Sequence, residues 1–165
     1  MNKFLSLLSI ILIMGCKITS PSESNNFHLV PYTNNDNLSI KRDREVIHDI
    51  NFNLQVPSGL KGSNVKVDDA FTHILHFNDE AKIVLFYFPD RRNKEGKQLN
   101  NLSYKNFMEV CKEEDILKEL KGIEILKDRH FGLNKEEGIS LFTLYLNVKS
   151  KSIEAFNQSI GSVKF

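Results

Sequence analysis

Tryptophan is absent from this chain and cysteine is scarce: Cys16 and Cys111 are the only two in 165 residues. So few thiols exclude a disulfide-dense scaffold. An excess of charge is also missing. The formal net charge is +1, from 22 basic and 21 acidic side chains, and the two signs stay balanced from residue 48 onward. Nucleic-acid binders neutralise phosphates with a surplus of Lys and Arg, so no nucleic-acid partner is expected. No apolar run is long enough to cross a bilayer. Residues 4–14 are apolar apart from Ser6 and Ser9, but as a helix they would reach only about 17 Å. A hydrocarbon core is about 30 Å thick. Gly-x-Ser-x-Gly, His-Glu-x-x-His and a phosphate-binding Gly-rich loop are all missing. No internal repeat is present, and no cofactor is expected.

What is present starts at the N-terminus. Lys3 supplies a positive charge, residues 4–14 an apolar stretch, and Ile13-Met14-Gly15-Cys16 a short closing motif. An apolar segment of this length with a small residue before a cut is a secretion signal, not structure. This pattern resembles a bacterial lipoprotein signal peptide ending in a lipobox. Ile13 stands where Leu is commonest and Met14 where Ala or Ser is; Gly15 and Cys16 fit. The resemblance implies that residues 1–15 are removed and that Cys16 becomes the N-terminus. A lipid on its sulfur, and palmitate with it, would then hold the protein to a membrane. A thiolate is the nucleophile such acylglyceryl transfer needs. Two or more acyl chains anchor stably at roughly 0.8 kcal/mol per buried CH₂. Lys17-Ile18-Thr19-Ser20 lacks the Asp that retains many lipoproteins in the inner membrane, so an outer-membrane lipoprotein facing the periplasm is expected. With Cys16 committed to lipid, Cys111 has no partner for a disulfide.

Residues 16–45 hold the lipidated Cys and a stretch rich in Ser, Asn, Thr and Pro. That composition buries little and reads as a flexible tether; about 30 such residues have an end-to-end distance of roughly 30 Å. Residues 46–165 are expected to form one domain. Ile50, Phe52, Leu54 and Val56 alternate with Asn51, Asn53 and Gln55, the period of a half-buried strand. Pro57-Ser58-Gly59 ends it with turn chemistry. Val65 and Val67 suggest a second strand. Phe71, His73, Leu75 and Phe77 alternate again, and Asn78-Asp79-Glu80 makes a turn. Residues 83–88 are continuously apolar, as in a central strand covered on both faces. Residues 90–101 read as a polar loop. Ser103 can cap a helix whose stripe is Tyr104, Phe107, Met108 and Cys111. A further stripe at Ile116, Leu117 and Leu120 ends at Gly122, with a bend at 112–115. Residues 123–129 and 139–148 read as strands. Ser152 can cap a last helix through Ile153, Phe156 and Ile160, and residues 162–165 a closing strand. The order predicts an α+β fold on a mostly antiparallel sheet with helices packed on it.

The opening strand with its turn, Phe52-Asn53-Leu54-Gln55-Val56-Pro57-Ser58-Gly59, the long middle helix, and the helix running into Ser162-Val163-Lys164-Phe165 resemble the PsbP-like family of small α+β sandwiches. Leu60 stands where that family has an aromatic. The family is functionally broad and mostly non-enzymatic, so the resemblance implies a fold more than an activity.

Four constellations are candidate sites. Arg91, Arg92, Lys94 and Lys97 form a basic loop after the central strand, able to meet an anionic lipid, a glycan acid or an acidic protein. His73 and His76 share a face on a helix but point apart on a strand, which argues against a metal site. Glu113, Glu114 and Asp115 are adjacent on a helix and fan outward, whereas acid–base catalysis needs carboxylates that face each other. Cys111, which could pair with His130, lies on the apolar helix stripe, a packing position. The expected function is a membrane-anchored, non-enzymatic binding or interaction module of the cell envelope. Its partner would be a protein, glycan or lipid of that envelope. Alternatives are an envelope hydrolase or metal-dependent enzyme, and an immunity-type lipoprotein that neutralises a toxin.

Overall fold

The structure, a computed structural model, describes residues 28–33, 39–42, 45–49, 52–67, 70–88 and 95–164. In chain order the strands and helices are β1 (Leu29–Thr33), β2 (Ser39–Arg42), β3 (Glu45–Asp49), β4 (Asn53–Pro57), β5 (Leu60–Val67), β6 (Phe71–Phe77), β7 (Lys82–Tyr87), β8 (Lys97–Leu102), α1 (Tyr104–Glu113), β9 (His130–Lys135), β10 (Leu141–Val148) and α2 (Ile153–Ile160). Six strands form one sheet in the order β5-β6-β7-β10-β9-β8, with every neighbouring pair antiparallel. The pairs β1-β4 and β2-β3 stand as separate two-stranded ribbons. The fold is α+β, as the order of elements predicts.

Alternation explains the layers. In β7, Ile83 and Leu85 face one side, Val84 and Phe86 the other, and all four are fully buried. The first side packs on Phe52, Leu54 and Val56 around β4 and on Phe156 and Ile160 of α2. The second packs on Phe107 and Cys111 of α1 and on Ile116 and Leu120 beyond it. A strand buried on both faces has no polar positions, which is why 83–88 carries a continuous apolar run. The β1-β4 ribbon is half-buried instead, so β4 keeps strict alternation: Leu54 and Val56 inside, Asn53 and Gln55 exposed.

Helix α1 starts where expected, with Ser103 Oγ accepting from the Asn106 N–H at 3.3 Å. The bend expected at 112–115 is Asp115 in a left-handed conformation (φ 56°), after which a 3₁₀ turn, Ile116–Lys118, continues the apolar stripe. Tyr145 of β10 lies across Gly132, its cross-strand neighbour. A Cβ on Gly132 would sit 2.2 Å from that ring, so only glycine admits it.

Four expectations are corrected. Leu29–Thr33 falls within the stretch expected to be a tether, but it pairs with β4 over all five residues. Lys97–Leu102 overlaps the expected polar loop, but it is the edge strand β8. Residues 123–129 are not a strand. Their backbone is held by Asn147, whose Oδ1 accepts from the Leu126 N–H at 2.9 Å and whose Nδ2 donates to the Glu124 carbonyl at 2.7 Å. Among the described residues the closing strand is reduced to one bridge, in which Asn53 and Lys164 exchange two backbone bonds of 2.8 Å. In addition, Ser152 stands at the start of α2 but makes no side-chain capping bond, because a 3₁₀ turn, Ser150–Ser152, leads into the helix.

Candidate functional site

Among the described residues, those singled out from sequence do not gather in one place. His73 is fully buried on the β4 side of the sheet. Its Nε2 lies 2.9 Å from the Tyr32 hydroxyl of β1, and its ring is edge-on to Phe52. His76 is half-exposed and bonded to the Asn64 side chain on β5. Burial and the neighbouring Lys82 lower its pKa. The pair is thus split across the strand, and among the described residues no cluster of three His, Cys, Asp or Glu could hold a metal ion.

Cys111 is fully buried on α1, and burial pushes its thiol up to about 12; a thiol so rarely ionised is a poor nucleophile. His130 is occupied elsewhere, Nδ1 with Asn101 Oδ1 at 2.7 Å and Nε2 with Ser150 Oγ at 2.9 Å. Of the carboxylate cluster, Glu114 turns back onto the sheet and takes Lys135 Nζ on both oxygens, at 3.0 and 3.1 Å. Arg91, Arg92 and Lys94, like Cys16, lie outside the described residues. Lys97 is exposed at the start of β8 and pairs with Lys135. That is the sheet end where β10 begins.

The other end of the sheet, where β10 finishes, carries a hollow of about 260 Å³. Four segments distant in sequence build it: His28 before β1, Pro57 and Ser58 at the end of β4, residues 77–81 from the end of β6 to the start of β7, and residues 149–156 running into the first turn of α2. Phe77 and Phe156 form an edge-on pair, with centroids 5.1 Å apart. With Ala81, Ala155 and Pro57 they make an apolar floor. His28, Ser58, Asn78, Asp79, Lys149 and Ser152 make a polar rim. The Asn78–Glu80 turn is tight because Asp79 (φ 59°) and Glu80 (φ 66°) are both left-handed, a conformation that costs about 1–2 kcal/mol for an ordinary side chain. Lys149 Nζ grips the turn by binding Asp79 Oδ2 at 2.6 Å. That hydrogen bond, more than the nearby positive charges, lowers the Asp79 pKa.

Chain entry is at the same place. Ser58 N–H donates to the His28 carbonyl at 3.1 Å, so β1 begins at the rim. A second, more open hollow of about 430 Å³ is lined by Asn101, Tyr104, Lys127, Arg129 and His130, among others. Apart from Leu102 and Tyr104 its lining residues are polar or charged, and both nitrogens of its imidazole are engaged. The first hollow is therefore the better-built site. Sequence reasoning reaches its turn and the start of α2 but not Lys149, which lies just past an apolar strand and belongs to no motif.

Comparison with protein-family models, curated proteins and solved structures gives no match. Among the described residues no helix is long and apolar enough to cross a membrane.

Proposed function

We propose that this protein is a lipid-anchored module of the bacterial cell envelope that binds a ligand without transforming it. The observation that carries the reading is Gly15-Cys16 closing a basic-then-apolar segment too short to span a bilayer. The outer membrane, facing the periplasm, is the proposed address, and the PsbP-like sandwich the proposed fold relationship; the antiparallel sheet with helices against it is compatible with that relationship. The binding role draws support from the hollow beside His28. Strand β1 starts at Leu29, so only residues 17–28 separate the lipid from the domain. At 3.3–3.6 Å per residue, these twelve residues reach at most about 40 Å. The hollow lies at the end where the chain enters, so its ligand would be met close to the membrane surface.

Cys16→Ser should abolish labelling by radioactive palmitate and leave the signal segment unprocessed on a gel. Continued labelling of the variant would overturn the reading.

A further inference from the structure

We propose that the hollow between the β6-β7 turn and α2 is a site for a small amphipathic monoanion, a carboxylate carried on one aromatic ring or a short acyl chain. Lys149 would take the carboxylate, and Phe77, Ala81 and Phe156 the apolar part. The inference rests on the binding-module reading and names the ligand class for its site.

Size sets the first limit. An apolar cavity of about 150 Å³ accommodates benzene. The 260 Å³ here admits such a ring with a carboxylate attached. Sites for drug-sized ligands run from about 300 to 1,000 Å³, so nucleotides and oligosaccharides are too large. The lining sets the second limit. Phe77, Ala81 and Phe156 are at most 6 % exposed, and the short side chains of Ala81 and Ala155 leave the space open. The polar groups all sit at the rim, as expected for a ligand with one charged end.

The Lys149–Asp79 pair sets the sign of that charge. Asp79 Oδ2 already occupies the position, 2.6 Å from Lys149 Nζ, that a ligand carboxylate would take. Its side chain is half-exposed, so it can turn into water when displaced. Displaced, Asp79 stays near the rim as an anion but faces water, which screens its charge from the ligand. Lys149, Lys151 and Arg129 all act on Asp79 through their charge, so a carboxylate in its place would meet the same three cationic groups. Ser152, whose hydroxyl makes no capping bond, is a further donor at the rim.

The test is equilibrium dialysis of radiolabelled benzoate against the full-length protein in lipid nanodiscs, with empty discs subtracted. Saturable binding at one site per chain is expected. Lys149→Gln should weaken it at least tenfold, and neutral benzyl alcohol should compete at least tenfold less well than unlabelled benzoate. Asp79→Asn, which removes the internal competitor's charge, should tighten binding severalfold. Ala155→Leu, which fills the floor, should weaken it; protection of the Cys111 thiol reports that each variant is folded. Absence of saturable benzoate binding by the folded protein would overturn the inference, as would binding indifferent to Lys149→Gln. Palmitate labelling of Cys16 is a separate readout, so failure of this site is distinguishable from failure of the anchoring.

Discussion

Asp79 shows how one exposed carboxylate ties backbone geometry to charge. It sits in a left-handed turn that its neighbour Glu80 shares, and its bond to Lys149 bridges that turn to the exit of β10. The bond favours the ionised form, so the Asp79 pKa lies below its ordinary value of 3.8. A carboxylate whose pKa is depressed on folding adds stability above its unfolded pKa, and loses it as pH falls through the folded one. The melting-temperature difference between wild type and Asp79→Asn should therefore contain a part that favours wild type at pH 7 and disappears in acid. The constant part reflects the ease with which Asn adopts a left-handed φ. A difference that does not change between pH 7 and pH 2 would remove the ion pair from the account. At the same scale, alternation alone places His73 on the inward face of its strand. Its partner Tyr32 is not foreseeable from sequence, because it comes from a strand that composition hides.

At the scale of elements, Asn147 decides what the segment before β9 becomes. Residues 123–129 carry an apolar alternation that suits a strand, yet Ile123 and Ile125 pack on the second core from a non-strand segment. The fully buried Asn147 side chain satisfies the Leu126 N–H and the Glu124 carbonyl, while its own backbone is left-handed (φ 59°). The irregularity it creates, between Tyr145 and Val148 in the pairing of β10 with β9, returns Val148 to the face that Tyr145 occupies. Asn147→Gly keeps the backbone and loses both bonds, costing about 2–3 kcal/mol. Asn147→Ala adds about 1–2 kcal/mol of left-handed strain. Urea denaturation should rank Asn above Gly above Ala. Equal stability of Gly and Asn would dismiss the bonds, and equal stability of Ala and Gly the strain. β8 is illegible in the sequence for another reason. Edge strands are protected by polar residues such as Lys, and Lys97-Gln98-Leu99-Asn100-Asn101-Leu102 therefore has the composition of a loop.

At the scale of the whole molecule, the two cysteines report on anchoring and folding together. Cys111 is sealed between α1 and the sheet, with its pKa at about 12. Cys16, in the proposed mature form, carries lipid on its sulfur. The processed protein should thus show no reactive thiol at pH 8 when native and one when denatured. Two thiols in the denatured protein would mean that Cys16 is unmodified, and one in the native protein that Cys111 is accessible. The short link between Cys16 and β1 also alters the geometry. Composition suggests a tether of some 30 residues, but pairing of β1 with β4 leaves twelve before the domain starts, so the hollow at His28 is held close to the lipid in the proposed mature form.

Local chemistry is sufficient for much of this chain. Alternation marks β4 and β6, a continuous apolar run marks the doubly buried β7, a capping Ser opens α1, and the N-terminal residues carry a proposed address that needs no fold to be read. These features depend on neighbours a few positions apart, where side-chain period and turn preference act directly. The tertiary structure decides the rest. Pairing of β1 with β4, the place of β8 at the sheet edge and the capture of residues 123–129 by Asn147 all join segments far apart in sequence. So does the hollow, whose floor and rim come from residues 28, 57–58, 77–81 and 149–156. Such contacts form because buried apolar faces and backbone groups need partners, and which partner is within reach depends on the whole packed arrangement.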